Sequence, residues 1–324
     1  MAERLIVFIA LLIILFSACG CPSGAPEGPL DSVTIDSLEP ETADVEPNEA
    51  ASPGTGQDTA ETDDLKIKRA TLFHDKCAEI LDRFVNDDGF VDYKGLKQEG
   101  IKLRTLLEEF NNLDPNEYRS WLKEDRLAFW INAYNLNKLK IVSANYPVQS
   151  SSRFLRVLWG PMDIRHIERK ITEFKFLVMD EEFSFKKIEN NFFRKEFDDP
   201  RIFLALSDAC MSSPPLRNEP YYGYKLNEQL DDQTKKFLSN PLAFGIDKQK
   251  QRVYLSALFE AGRFGTEFLK KYAMDRKFKD HPPVTRAVLN FITEYVSEYD
   301  VSFLERQSYS VKYMTYDWKI NDGS

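Results

Sequence analysis

RLAFWINAYNLNKLKIV, residues 126–142, decides the fold. It is apolar nearly all round, and a helix that is apolar on every face belongs in the interior of a domain. Asn132 and Asn135 interrupt it three positions apart, so they share one face. A buried carboxamide without hydrogen-bond partners costs about 1–3 kcal/mol. The sequence therefore predicts a central helix with a polar network, in which the asparagines either position a ligand or reacting group or hold a loop near Cys210.

Shorter elements are predicted on both sides of this helix. The fold class is α+β, a mainly helical single domain with a small sheet, because helices and strands interleave without strict alternation. Apolar spacing predicts further helices over 67–85, 103–110, 185–197, 226–238, 257–272 and 284–299. Strands are predicted over 175–179, 201–206, 252–255 and 309–316.

The first residues predict where the chain resides. MAERLIVFIALLIILFSAC has a charged start, an apolar run over 5–16 and two small residues before Cys19. The run is shorter than the roughly 20 residues that span a bilayer, and its ending resembles the bacterial lipobox. Residues 1–18 are interpreted as a lipoprotein signal peptide, with Cys19 as the lipid-modified residue, and an uncleaved anchor is the alternative. Either places the domain at the bacterial cell envelope, facing the periplasm or exterior. Gly20 favours the outer membrane if the cell is Gram-negative.

Residues 19–64 are predicted to be a disordered acidic linker, and 65–324 the globular domain. Over 22–64 there is no Lys, Arg or aromatic residue, so little apolar surface is available to offset chain entropy. Twelve acidic residues lie there, against a net charge of −9 for the whole chain, which leaves +3 for the domain. This small charge gives no argument for nucleic acid. The expected partners are the membrane, through the lipid at Cys19, and an unidentified envelope protein or small ligand.

Cysteine and histidine are sparse. Beyond Cys19 and Cys21 only Cys77 and Cys210 occur, and the three histidines are scattered. No spacing suits a zinc site, so neither a metal nor a cofactor is expected. Cys77 and Cys210 could pair in an oxidising compartment, or each could be a small buried hydrophobe.

The stretch 204–217, LALSDACMSSPPLR, is where an enzyme would place a nucleophile after a strand. Cys210 and Ser213 are the candidate nucleophiles, and Asp208 is a candidate base. For Cys210 the alternative is a structural cysteine, and for Asp208 a turn residue that accepts from backbone amides.

Arg217, Tyr221 and Glu189 are further candidates for binding or positioning a ligand. The two prolines fix the exit from the loop and leave Arg217 projecting. Arg217 suits a carboxylate or phosphate, or an internal salt bridge to an acid such as Glu189. Tyr221, in YYGY, either lines a ligand groove or covers the domain edge.

Several motifs together resemble domain-of-unknown-function family 547, over about residues 122–322. They are FWINAYN (129–135), the segment around Ile188-Glu189, PRIFLAL followed by SSPPLR, the segment 221–238, YLSALF (254–259) and YDWKIND (316–322). The resemblance implies a Cys, His and Asp pattern comparable to papain-like or transglutaminase-like thiol enzymes, as an analogy of fold only.

The chain departs from that family where the chemistry would lie. A thiol mechanism needs a thiolate of lowered pKa and a base within reach. Two hypotheses follow: a catalytically degenerate domain that binds a ligand or partner through the former cleft, or a divergent hydrolase or acyl-transferase that uses Cys210 or Ser213. Where members of that family typically have two histidines, this chain has Asn190 and Phe203, and where they have two cysteines it has Asp208 and Ser213. Their Asp-Phe pair is Arg263-Phe264 here.

Overall fold

A computed structural model describes residues 56–197, 199–260, 264–274 and 277–324, with only the backbone for 56–62. The interpreted signal peptide, Cys19, most of the interpreted linker and Arg263 lie outside these residues. None of the helices in the described part is long and apolar enough to cross a bilayer.

The α+β expectation is confirmed, because the described residues form a mainly helical domain with two small sheets. The helices are α1 (Gly56–Phe84), α2 (Tyr93–Gln98), α3 (Gly100–Asn112), α4 (Pro115–Ser120), α5 (Lys123–Ala144), α6 (Arg153–Trp159), α7 (Glu168–Glu173), α8 (Phe185–Ile188), α9 (Ile202–Ala205), α10 (Leu226–Ser239), α11 (Ala257–Glu260), α12 (Gly265–Tyr272), α13 (Pro283–Ile292) and α14 (Glu298–Glu305). A π-helix spans Glu189–Phe197, and 3₁₀ turns span Ile164–Ile167 and Gly223–Lys225. The strands are β1 (Phe176–Val178), β2 (Glu181–Phe183), β3 (Phe244–Asp247), β4 (Arg252–Leu255) and β5 (Ser310–Tyr313).

Helix α5 is the centre of the core, as the sequence predicts. Most of its side chains are buried on every face, including Trp130 and Tyr134. Helices α1, α2 and α3 pack against it, and Phe192 stacks on Trp130 with 3.9 Å between ring centroids. Nearly every side chain between Asp125 and Ser143 is thus buried against other elements, which is why the polar residues of α5 determine the site.

The sheets are peripheral. β1 and β2 form an antiparallel hairpin, with Phe176 opposite Phe183. In the second sheet β4 lies between antiparallel β3 and parallel β5. The segment 317–322 continues past β5, pairs with the Cys210 loop and buries Ile320. The chain's last residues thus fix that loop.

The strand predicted over 201–206 is wrong. Ile202–Ala205 forms a single helical turn, and a short, fully buried apolar run does not distinguish strand from helix by periodicity. The two long C-terminal helices predicted over 257–272 and 284–299 are each divided. Gly265, with a φ of +75°, begins α12 separately, and Ser297 caps α14 by accepting from the Asp300 N–H at 3.2 Å.

Helix α1 begins at Gly56, which lies inside the segment interpreted as a linker. Once a helical turn has formed, each further residue adds a hydrogen bond at little cost. Helices therefore extend beyond the residues that pack, and composition alone does not locate where they begin.

Candidate functional site

Asn132 and Asn135 hold the backbone of the loop that follows α9. Asn132 donates to the Tyr221 carbonyl and accepts from the Tyr221 N–H, both at 2.9 Å. Asn135 donates to the Ala205 carbonyl at 2.9 Å and accepts from the Ser207 N–H at 3.0 Å. Both side chains are buried. Each carboxamide thus serves as the hydrogen-bond partner that a neighbouring strand would otherwise provide.

Three further buried side chains, which sequence reasoning missed, hold the same loop. Gln229 accepts from the Tyr222 N–H at 2.9 Å and donates to the Pro220 carbonyl at 2.8 Å. Gln233 donates to the carbonyls of Leu204 and Pro215. The signal was present in the sequence, because the two glutamines lie four apart on the apolar stripe of α10.

Asp125 is the third of these side chains, and it holds the end of the loop. It accepts from the Gly223 N–H at 3.1 Å. A Cβ on Gly223 would lie 2.0 Å from an oxygen of Asp125, so only glycine permits this approach. Together with the four amides, Asp125 ties the backbone of residues 204–223 to α5 and α10.

Cys210 and Ser213 lie in this segment, and in the described structure neither the thiol nor the hydroxyl donates to a carboxylate or an imidazole. The Cys210 thiol is buried and donates to the Tyr316 hydroxyl at 3.4 Å. Burial, with the nearby Asp208 charge, raises the pKa of Cys210 to about 12. The Ser213 hydroxyl is also buried and donates to the Pro214 carbonyl at 3.0 Å. Cys77 and Cys210 are both free thiols, so they do not form the disulfide considered above.

The acidic candidates are bound to side chains of α5. Asp208 lies 3.5 Å from the ammonium of Lys138, a buried lysine whose Nζ is also 4.4 Å from the centre of the Phe185 ring. Glu189 accepts from the Tyr134 hydroxyl at 2.8 Å. Both carboxylates therefore serve to partner polar groups that the central helix projects.

Arg217 forms an internal salt bridge, with partners other than the expected Glu189. Its guanidinium pairs with Glu219 at 2.6 Å and with Asp232. Tyr221 is 2 % exposed, so it covers no edge of the domain. Its hydroxyl is buried without a hydrogen-bond partner among the described residues, and burial raises its pKa.

None of the three histidines contacts Cys210 or Ser213 within the described ranges. His74 is buried beside Asn132, with 3.3 Å between His74 Nδ1 and Asn132 Nδ2. Burial lowers the pKa of His74 to about 4. His166 lies 2.7 Å from the Gly160 carbonyl, and His281 stacks on Tyr309. An imidazole base for either nucleophile is therefore lacking in this part of the chain.

A cavity of about 430 Å³ lies beside α9, which contributes Phe203 to its lining. Phe203 and Phe264 line it, and Phe203 is the residue expected to replace a histidine of the family pattern. Arg194 enters from the π-helix, with its guanidinium carbon 4.7 Å from the centre of the Phe203 ring. We call this cavity the aromatic cleft. Its lining residues are Phe193, Arg194, Asp199, Pro200, Phe203, Phe264, Gly265, Thr266, Glu267 and Phe268.

Arg194 was not a candidate in the sequence, because its position depends on the π winding. Apolar residues four apart, such as Phe193 and Phe197, suit both α and π windings, so the sequence predicts only a helix. Gly265 makes room for the guanidinium, since a Cβ there would lie 2.8 Å from Arg194 Nη1. π-Helical turns are rare and occur frequently at functional sites.

No group of His, Cys, Asp or Glu in the described part of the chain is arranged to hold a metal ion. The described site has two parts: the loop around Cys210, which is hydrogen-bonded to α5 and α10, and the aromatic cleft around Arg194. The loop suits a structural role, and the cleft suits binding.

Comparison with known proteins confirms part of the expected likeness. No match was found among the curated proteins or among the solved structures. YLSALF and YDWKIND lie beyond the matched segment, so the likeness is confirmed for the central helix and the Cys210 loop but not for those two motifs. Residues 118–238 match the model of the family described as protein of unknown function, DUF547.

Proposed function

We propose that this chain is a cell-envelope lipoprotein, anchored at Cys19, whose domain binds an anionic ligand with an apolar body in the aromatic cleft. The domain performs no thiol or serine chemistry. The observation that carries the proposal is Arg194, a guanidinium that lies on the Phe203 ring and has no acidic partner among the described residues.

The charges of the cleft support an anionic ligand. Two acids line the cleft, and each already pairs with a cation: Asp199 with Arg201 and Glu267 with Lys270. Arg194 is therefore the uncompensated charge of the described lining. Guanidinium groups bind carboxylate and phosphate through paired hydrogen bonds, and the phenylalanine rings provide apolar surface for the remainder of the ligand.

The surroundings of the former nucleophile positions support a binding role over the alternative, a divergent hydrolase or acyl-transferase. At neutral pH a thiol with a pKa of about 12 is almost entirely protonated. Ser213 donates to a carbonyl rather than to a base. Asn132 and Asn135 are occupied by backbone groups, so they do not orient a substrate.

The envelope location is supported by the sequence of the N-terminal segment. A charged start, an apolar run and small residues before Cys19 form a lipoprotein signal, and the long acidic segment after it serves as a tether. The domain then faces the periplasm or exterior, where it meets either a small ligand or an envelope protein that presents an anionic group. Metabolic labelling of the chain with a fatty acid, lost in Cys19→Ser, is the expected result.

Phenyl phosphate tests the cleft, because it joins an anion to an aromatic ring. We expect calorimetric binding to the full chain, and roughly 10- to 100-fold weaker binding in Arg194→Gln, since hydrogen bonds to a charged group contribute about 1.5–3 kcal/mol. Inorganic phosphate, which lacks the ring, is expected to bind more weakly than phenyl phosphate.

Arg104→Gln is the matched control, because Arg104 is an exposed arginine outside the cleft. It is expected to leave phenyl phosphate binding unchanged. Equal loss in both variants, or equal affinity for phenyl phosphate in Arg194→Gln and the unmodified chain, would contradict the proposed ligand site.

A further inference from the structure

Helix α6 exposes apolar side chains that a folded domain would normally bury. None of its residues is buried. Phe154 is 67 % exposed, Val157 81 % and Leu158 59 %. Single exposed apolar residues are ordinary, but three on one short helix form a patch of the kind that marks an interaction surface.

The three residues share one face, which points away from the domain. Their spacing of i, i+3 and i+4 places them on one side of a helix. Leu155 and Trp159 are partly buried on the opposite side, where the Arg165 guanidinium lies 5.2 Å from the centre of the Trp159 ring. The helix is thus held to the domain by its inner side, and the apolar face of α6 (Phe154, Val157 and Leu158) is left without cover in the described structure.

Positive charge and tryptophan border this face. Arg153 and Arg156 are exposed on the same helix and form no ion pair with the described residues. Arg165 also lies 5.5 Å from the centre of the Trp318 ring, and Trp318 is 38 % exposed. Apolar residues bordered by arginine and tryptophan are typical of helices that lie in a membrane interface.

We infer that the apolar face of α6 docks on the surface of a lipid bilayer with anionic headgroups. The apolar side chains enter the boundary between headgroups and acyl chains, and Arg153 and Arg156 reach the phosphates. A second copy of the chain is a poorer occupant, because a two-fold contact would bring the same two arginines together. The inference does not depend on lipid modification of Cys19, because it concerns contacts that α6 itself makes.

Hydrogen exchange of the full chain, measured by mass spectrometry, tests this contact locally. With vesicles of phosphatidylcholine and phosphatidylglycerol we expect slower exchange in the amides of residues 153–160. Phe154→Ser, Val157→Ser and Leu158→Ser combined are expected to abolish this protection. Ile101→Ser, at a residue 69 % exposed on another helix, is the control and should leave the protection unchanged.

The arginines are tested separately. Since each basic residue near an anionic surface contributes about 1 kcal/mol, Arg153→Gln with Arg156→Gln should raise the vesicle concentration needed for half-maximal protection by roughly 30-fold. Vesicles of phosphatidylcholine alone should show little effect of this pair of changes.

Three outcomes would overturn the inference. The first is unchanged exchange in α6 while the chain sediments with the vesicles, which would place membrane contact elsewhere and leave the proposed anchor intact. The second is a chain that does not associate with the vesicles at all. The third is protection of α6 without vesicles that increases with protein concentration, which would indicate a second copy.

Discussion

Replacing Asn135 with alanine is expected to lower the free energy of unfolding by roughly 2–6 kcal/mol. The change leaves the Ala205 carbonyl and the Ser207 N–H without their partner in a buried position. An unsatisfied buried group costs about 1–3 kcal/mol, and two are created. Chemical denaturation, followed by tryptophan fluorescence, measures the difference.

Asn137→Ala is the control, because Asn137 is equally buried on the same helix. Its carboxamide donates only to the Ala133 carbonyl, which belongs to α5 itself. Its removal leaves no backbone group of the loop without a partner, so we expect a clearly smaller loss in the free energy of unfolding than for Asn135→Ala. Equal losses in the two variants would show that Asn135 acts through helix packing and not through the loop.

Replacing Asp125 with asparagine is expected to increase stability at pH 7 and to make its loss in acid steeper. Burial raises the pKa of Asp125 to about 6, against an ordinary 3.8, so its ionised form is disfavoured in the folded state. Its contribution to stability therefore rises as the pH falls from 6 to 3.8. Burial lowers the pKa of His74 to about 4, against 6.5, so its contribution is full above pH 6.5 and is lost between 6.5 and 4.

The two groups oppose each other over nearly the same pH range. In the unmodified chain their effects on the free energy of unfolding partly cancel. In Asp125→Asn only the effect of His74 remains, and it amounts to a loss of roughly 3 kcal/mol as the pH falls from 6.5 to 4. We expect the urea midpoint of Asp125→Asn, measured at pH 7, 6, 5 and 4.5, to fall more steeply with decreasing pH than that of the unmodified chain. His74→Asn should give the opposite change in slope, and parallel curves for all three proteins would contradict the assignment.

The central helix could be predicted from the sequence because its residues are apolar on nearly every face of the helix over several turns. Residues 126–142 lie within α5, and the core surrounds them. The run IFLAL at 202–206 has the same apolar character but is too short to distinguish a strand from a helical turn, so its predicted conformation was wrong. Length, not hydrophobicity, separates the two cases.

The amides on α5 could be recognised as important but not assigned a partner. Asn132 and Asn135 signalled a polar network, yet their partners lie about 70–90 positions away in sequence. Gln229 and Gln233 carried the same signal on α10, as buried polar residues on an apolar stripe. Residue types thus predict that hydrogen bonds must exist, and only the fold determines with which groups.

The aromatic cleft could not be predicted, for a different reason. It depends on the π winding around Arg194, which lies over Phe203, and on Gly265, whose missing Cβ leaves room for the guanidinium. Neither is encoded in apolar spacing. The sequence comparison singled out Phe203 as an altered position, and the structure places it in the lining of this cleft.

The rate at which iodoacetamide alkylates Cys210 in the folded full chain, followed peptide by peptide at pH 7.5, tests most directly whether the Cys210 thiol is inert, as the proposed function requires. A rise in pKa from 9 to about 12 reduces the thiolate roughly 1000-fold. We therefore expect labelling at least that much slower than for a model cysteine peptide, rising to the model rate in denaturant. Labelling of Cys210 in the folded chain at or above the model rate would contradict an inert thiol and support the alternative, a divergent hydrolase or acyl-transferase.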